Sequence, residues 1–169
     1  MLIRPANPED AAFVGAIRVA AWQAAYRGFM PDAYLASLDP SANLDSLRAA
    51  VRAETPPFLL RVAEVESQPV AFSILGKPRY AADQSIAELW ALNVHPSHWR
   101  KGLGQRLVMQ ARLDAKEQKF AHVELWCIQG NLAAQRLYEA CGFRPNGQVR
   151  TTSSLTGSPL TELAYKYAL

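Results

Sequence analysis

Residues 92–104 read LNVHPSHWRKGLG: the apolar end of a strand, a short basic loop, and a helix that opens on Gly-x-Gly. Ile86 to Val94 is a long apolar run and predicts a strand. Gly102 to Gln118 has apolar residues at 103, 107, 108, 111 and 113 and predicts a helix. Glycine at the junction lets the backbone approach a ligand closely. The first N–H groups of the helix lack internal partners and carry the positive end of its dipole. Arg100, Lys101 and Arg106 add cationic charge. Such a place suits a polyanion such as a pyrophosphate. Taken alone, it is equally an ordinary strand-to-helix turn with solvated basic residues. Two nucleotide patterns are excluded: there is no P-loop, and Leu107 stands where a dinucleotide fingerprint needs its third glycine.

Working outward, Ala121 to Ile128 reads as the next strand, so residues 86–128 predict a parallel pair joined by a right-handed crossover. NLAAQRLYEACGF at 131–143 follows directly. Asn131 is placed to cap a helix over Leu132 to Ala140, with Gly142 at its C-terminal stop. Tyr138 lies seven residues after Asn131, nearly two helical turns, so the two project in similar directions. Upstream, Leu2 to Pro5 reads as a strand. Asn7-Pro8-Glu9-Asp10 supplies a cap, a first-turn proline and two first-turn acids for an amphipathic helix running through Trp22 and Tyr26. Gly28 and Pro31 end it, and Pro31 to Leu38 and Ala42 to Val51 read as helical pieces. Leu59 to Val65 and Val70 to Leu75 form a predicted hairpin around Ser67-Gln68-Pro69. Arg144 to Leu169 reads as two strands joined around Thr156-Gly157-Ser158-Pro159. Strands and helices interleave around one sheet, so the expected class is mixed α/β, with residues 1–169 as a single domain.

The 169 residues are 50% hydrophobic and 20% charged, with a net charge of +3. That balance is ordinary for a globular chain and contains no Lys/Arg block, so a nucleic-acid partner is not expected. Cys127 and Cys141 have no spacing suited to a zinc site, and no metal is expected. Both read as core thiols in a reducing cytoplasm. The first ten residues, MLIRPANPED, lack the apolar stretch of a signal peptide, and no apolar run reaches membrane-spanning length.

Together, the two segments at 92–104 and 131–143 resemble the GCN5-related N-acetyltransferase (GNAT) superfamily. The first is similar to its acetyl-CoA signature, a Gln or Arg followed three and five residues later by Gly and by Gly or Ala. The second is similar to its Asn, Ala, Tyr, Gly-Phe segment. WQAAYRGFMP at 22–31 resembles a further stretch found in one branch. The resemblance implies a partly splayed sheet of about six to seven strands with helices on both faces. It implies acetyl-CoA as co-substrate and a primary amine of a small molecule, protein N-terminus or lysine as acceptor, with a homodimer left open.

By the same resemblance, Leu92, Asn93 and Val94 bond the pantetheine arm through the backbone. Trp99, Arg100, Lys101, Gly102, Leu103 and Gly104 hold the pyrophosphate. Asn131 contacts the arm, and Tyr138 protonates the leaving thiolate. Two departures stand out. Trp99 replaces the signature's Gln or Arg, and Trp126 occupies the place where some relatives carry a Glu base. The remaining base candidate is Glu88, fourteen residues before Gly102, as in histone-modifying members. Such a base matters because less than about a thousandth of a lysine-like amine is neutral near pH 7. Trp22 and Tyr26, four residues apart on one helix face, are either core or acceptor-site wall. A non-catalytic acyl-CoA-binding module of the same fold is the alternative reading.

Overall fold

The computed structural model describes residues 1–53, 58–79 and 83–169. Its strands are β1 (Leu2–Pro5), β2 (Phe58–Val65), β3 (Gln68–Gly76), β4 (Ile86–Val94), β5 (His122–Ile128), β6 (Arg144–Thr152) and β7 (Leu160–Ala168). Its helices are α1 (Ala11–Ala25), α2 (Asp32–Ala36), α3 (Leu44–Arg52), α4 (Leu103–Glu117) and α5 (Leu132–Ala140). The strands form one seven-stranded sheet in the order β1-β2-β3-β4-β5-β7-β6. Neighbours are antiparallel except β4 and β5, which run parallel because α4 carries the chain back between them. The architecture is the mixed, partly splayed α/β sheet expected from the sequence.

Helices cover both faces. On one, Val108, Ala111 and Ala115 of α4 and Tyr138 of α5 pack with Leu89, Val123, Leu125 and Phe143. On the other, Val14 and Ile17 of α1 meet Leu60, Val62 and Phe72, with Leu47 and Val51 of α3 at the margin. Asp114 is the charge buried under α4, and Arg61 of β2 grips it with bonds of 2.9 and 2.7 Å. Among the described residues no helix is long and apolar enough to cross a membrane.

The β2–β3 hairpin turns on Glu66 and Ser67, not around Ser67-Gln68-Pro69. Both turn residues have positive φ, 52° and 63°, as a two-residue hairpin loop requires. Gln68 and Pro69 already belong to β3, where Pro69 pairs with Glu64 beside a register shift.

Two irregularities shape the middle of the sheet. First, Ile74 of β3 pairs with Ala91 but Leu75 pairs with Leu89, so Trp90 is an extra residue in β4. This bulge reverses the alternation of the strand. Ala87 and Leu89 face α4 before it; Leu92 and Val94 do so after it, while Ala91 turns toward α1. The Trp90 indole donates to the Lys77 carbonyl at 2.9 Å, and its ring lies where a Cβ on Gly76 would come within 2.5 Å. Second, β4 and β5 pair only over Ile86–Glu88 against His122–Glu124. Beyond that the strands part, and β5 follows β7 along its whole length.

Candidate active site

The parting of β4 and β5 leaves an open seam, and the ladder on the far side of β4 determines what faces it. The His95 N–H donates to Val70 O at 2.8 Å, which makes 95 and 70 a hydrogen-bonded pair. In an antiparallel ladder such pairs alternate, so Asn93 and Ala91 also turn their backbone groups to β3. The main-chain groups of Leu92 and Val94 therefore point into the seam. Asn93 was expected to use its backbone there; its main chain is committed to β3, and its buried side chain enters the cavity described below.

At the end of β4 a 3-10 turn over Pro96–His98 leads into α4. Gly102 sits at the helix N-cap with φ 80°, a conformation that favours glycine, although a Cβ there meets nothing within 4 Å. Gly104 marks a close approach of α4 to α5: a Cβ there would stand 3.0 Å from the end of the Leu137 side chain. The N–H groups of Leu103, Gly104 and Gln105 fall in the first turn, where no intrahelical acceptor exists. Arg100 and Lys101 are exposed beside them. Trp99 has a role of its own. Its indole N–H donates to the Val94 carbonyl at 2.6 Å, clamping the loop to the strand end. That carbonyl is thereby occupied, leaving the Val94 N–H and both backbone groups of Leu92 as the polar edge of the seam.

A cavity of about 260 Å³ opens beside this edge. Its walls come from both faces of the sheet: Phe72, Ile74 and Ala91 from the α1 face, Leu89 and Tyr138 from the α4 face. A cavity reaching residues of both layers is possible because the strands have parted. Val14, Arg18, Trp22 and Tyr26 line it at intervals of four, a single stripe of α1 continued by the residue that caps its C-terminus. Trp22 and Tyr26 meet edge to face, with centroids 5.4 Å apart. Both thus serve as wall and as packing, since they also lie against Met30, Leu35, Ile128 and Leu160. The segment before α3 closes the opposite side. It approaches α1 at Gly15, where any side chain would collide with the Pro40 carbonyl.

Tyr138 is buried, with its ring against Phe143 and Tyr165. Burial, with smaller contributions from Cys127 and Tyr26, holds its phenol well above the ordinary value, so it stays protonated. Tyr26 is pushed up to about 12 by burial first, then by Cys127 and Glu162. Cys127 is likewise raised to about 12, chiefly by burial, which leaves it inert as a nucleophile. Asn131 caps α5 by accepting from the Ala134 N–H at 3.2 Å. Its side-chain NH₂ is not used in the cap.

Glu88 does not join this arrangement. It lies in the stretch where β4 and β5 still pair, opposite Glu124, and does not line the cavity. Its carboxylate takes the Arg79 guanidinium at 3.0 and 2.6 Å and the Arg79 N–H at 2.9 Å. The fourteen-residue spacing located the strand but not the residue's surroundings, which the Arg79 segment fixes.

Among the wall features that sequence reasoning passed over are Arg18, the Asn93 side chain and Trp126. Arg18 was readable from the four-residue spacing to Trp22. The Asn93 side chain was hidden by the bulge at Trp90, which changes which residues face the cavity. Trp126, noted only as a missing acid, is an aromatic wall with the Arg150 guanidinium 4.2 Å above its ring. Among the described residues no group of three or more His, Cys, Asp or Glu is disposed to hold a metal ion.

The family model described as the Acetyltransferase (GNAT) family matches residues 16–143. No curated protein matches the chain. Among solved structures, PaiA N-acetyltransferase from Thermoplasma acidophilum in complex with coenzyme A superposes with a TM-score of 0.81 at 19% identity, covering 99% of this chain and 98% of its own. Ribosomal-protein-alanine N-acetyltransferase from Brucella melitensis gives 0.78 at 23% identity, covering 100% of both chains. YncA from Salmonella typhimurium, with its cofactor acetyl-CoA, gives 0.76 at 22% identity, covering 100% of this chain and 94% of its own. At these identities the likeness is one of fold.

Proposed function

The chain belongs to the GNAT acetyltransferase family, and from that premise we propose that it moves the acetyl group of acetyl-CoA onto a primary amine by direct attack. The observation that carries the reading is the continuity of seam and cavity. The polar edge of Leu92 and Val94 lies beside a cavity walled by the Tyr138 ring on one side and by α1 on the other. The residues fit the cofactor: backbone groups toward an amide-bearing arm, free first-turn amides and basic residues toward a pyrophosphate. Bound there, acetyl-CoA supplies the activated thioester.

In this reading the Leu92 and Val94 backbone orients the arm, and the Asn131 NH₂ group holds it from the other side. The amides of Leu103 and Gly104, with Arg100 and Lys101, grip the phosphates, while Trp99 fixes the loop that presents them. Trp22 and Tyr26 wall the acceptor side. Tyr138 delivers its proton to sulfur as the C–S bond breaks. Glu88 is given no part in proton transfer; the acceptor's proton leaves through water. Residues 1–169 act as one domain, in a reducing cytoplasm consistent with the two free cysteines.

The test is a panel of primary amines with acetyl-CoA, read by thiol release, alongside calorimetric titration of acetyl-CoA alone. Thiol release dependent on at least one amine supports the proposal. Tight acetyl-CoA binding with no amine-dependent release is the behaviour of a non-catalytic acyl-CoA-binding module and contradicts it.

A further inference from the structure

From the lining of the cavity we infer that the acceptor is a small amine that also carries a carboxylate, on an apolar or aromatic body, as in an apolar α-amino acid. The inference rests on the acetyl-transfer reading and assigns the acceptor side of that same site.

Among the described residues lining the cavity, Arg18 is the only one with a charge, and no Asp or Glu is present. A site for a polyamine, an aminoglycoside-like polycation or a lysine side chain needs anionic groups to offset the desolvation of its ammonium groups. This cavity offers the reverse. Arg18 stands on the α1 stripe one turn before Trp22, half-buried. One of its guanidinium nitrogens donates to the Asp39 carbonyl at 3.2 Å. That bond anchors the side chain to the segment before α3 and leaves the other donors of the fork. A planar fork of donors matches a carboxylate in two bonds. Asn43 and Asn93 are the amide side chains of the lining, each able to donate and accept, beside the Tyr26 and Tyr138 hydroxyls.

The rest of the wall is apolar and aromatic: Trp22, Tyr26, Phe72, Trp90 and Trp126. It suits a hydrocarbon or ring and gives nothing to a polyhydroxylated body. The volume, about 260 Å³, is just below the range common for drug-sized ligands, which favours a small molecule. The charge at Arg18 has a second effect. A guanidinium near the acceptor disfavours its ammonium form and favours the neutral amine that attacks. The site therefore eases the loss of the proton without a carboxylate base, in keeping with the position of Glu88.

The experiment compares phenylalanine and leucine with their amides, which keep the amine and lose the carboxylate, and with spermidine and a lysine peptide, all by thiol release. Wild type is expected to favour each acid over its amide by roughly ten-fold or more in kcat/KM, the scale of a hydrogen bond to a charged group. Arg18→Met is expected to collapse that ratio toward one, with the acid as the substrate that loses. Equal rates on acid and amide in wild type overturn the inference without any variant. So does an acid-to-amide ratio unchanged in Arg18→Met, or transfer to spermidine or the lysine peptide but not to the acids. Those results leave the acetyl-transfer reading standing. Release with no amine at all, while acetyl-CoA still binds, overturns both.

Discussion

Tyr138 and Glu88 were paired by sequence as acid and base, and their surroundings separate them. The Tyr138 phenol is buried against Phe143 and Tyr165 and held protonated far into the alkaline range. Tyr138→Phe keeps the ring and its packing, so acetyl-CoA affinity should change little. Single-turnover chemistry should slow ten-fold or more, about 1.4 kcal/mol in the barrier. Because burial raises the phenol, the wild-type rate should show no loss assignable to Tyr138 up to its ordinary titration near pH 10. An unchanged chemical rate in the Phe variant would make Tyr138 a packing residue. Glu88→Gln should give a pH–rate profile parallel to wild type while lowering stability by about 1–3 kcal/mol, since it removes the charge of a buried carboxylate that accepts from the exposed Arg79 guanidinium. Urea denaturation and a pH series measure the two effects; a deficit confined to neutral pH would restore Glu88 as the base. The sequence showed Tyr138 because its spacing from Asn131 is a helical property. It could not show Glu88's partner, because Arg79 reaches it through a loop with no periodicity.

Among the elements, the start of α4 was the most legible and β4 the least. Gly102 has positive φ but open space around it. Gly102→Ala should therefore cost only the backbone penalty, about 1–2 kcal/mol, with a modest loss of acetyl-CoA affinity. Gly102→Glu pays the same backbone cost and adds a carboxylate where the pyrophosphate is expected, so its affinity should fall much further. Calorimetry on both variants decides: equal losses would remove the loop from the cofactor site. The helix could be read because its apolar spacing and glycines are local. The bulge at Trp90 could not, because it depends on register with β3 and on a ring lodged over Gly76, contacts that strand alternation does not encode. The same bulge explains why Asn93 contributes its side chain and Leu92 and Val94 their backbone, where the motif alone grouped all three.

Over the whole molecule, the sheet is closed by charge pairs at its ends and open at its centre. At one end Arg4 of β1 binds Asp10 at 2.7 and 2.9 Å and Glu64 of β2 at 2.5 Å. Burial alone would raise Asp10, but the bonds from Arg4 and the Asn7 N–H outweigh it and hold the carboxyl below its ordinary value of 3.8. A carboxyl lowered on folding stabilises the fold above its ordinary value, and that contribution is lost as pH falls through the lowered one. Asp10→Asn should thus cost about 1–3 kcal/mol at pH 7, and the gap from wild type should narrow on acidification below about pH 4. Denaturant unfolding at several pH values checks this; a gap that persists undiminished in acid would assign the loss to packing.

Element order was enough to predict one mixed sheet, but not that β7 would sit between β5 and β6, since chain order leaves both placements open. The open centre is what the functional reading depends on, and a single-turnover experiment probes it most directly. The chain is loaded with one equivalent of acetyl-CoA and mixed with an amine from the active set, while free thiol, acetylated amine and the mass of the protein are followed together. Direct attack in the seam predicts thiol and acetylated amine appearing together, at equal rates, only when amine is present, with the protein mass unchanged throughout. Thiol released equally without amine, or an acetylated protein that forms before the product, would contradict it.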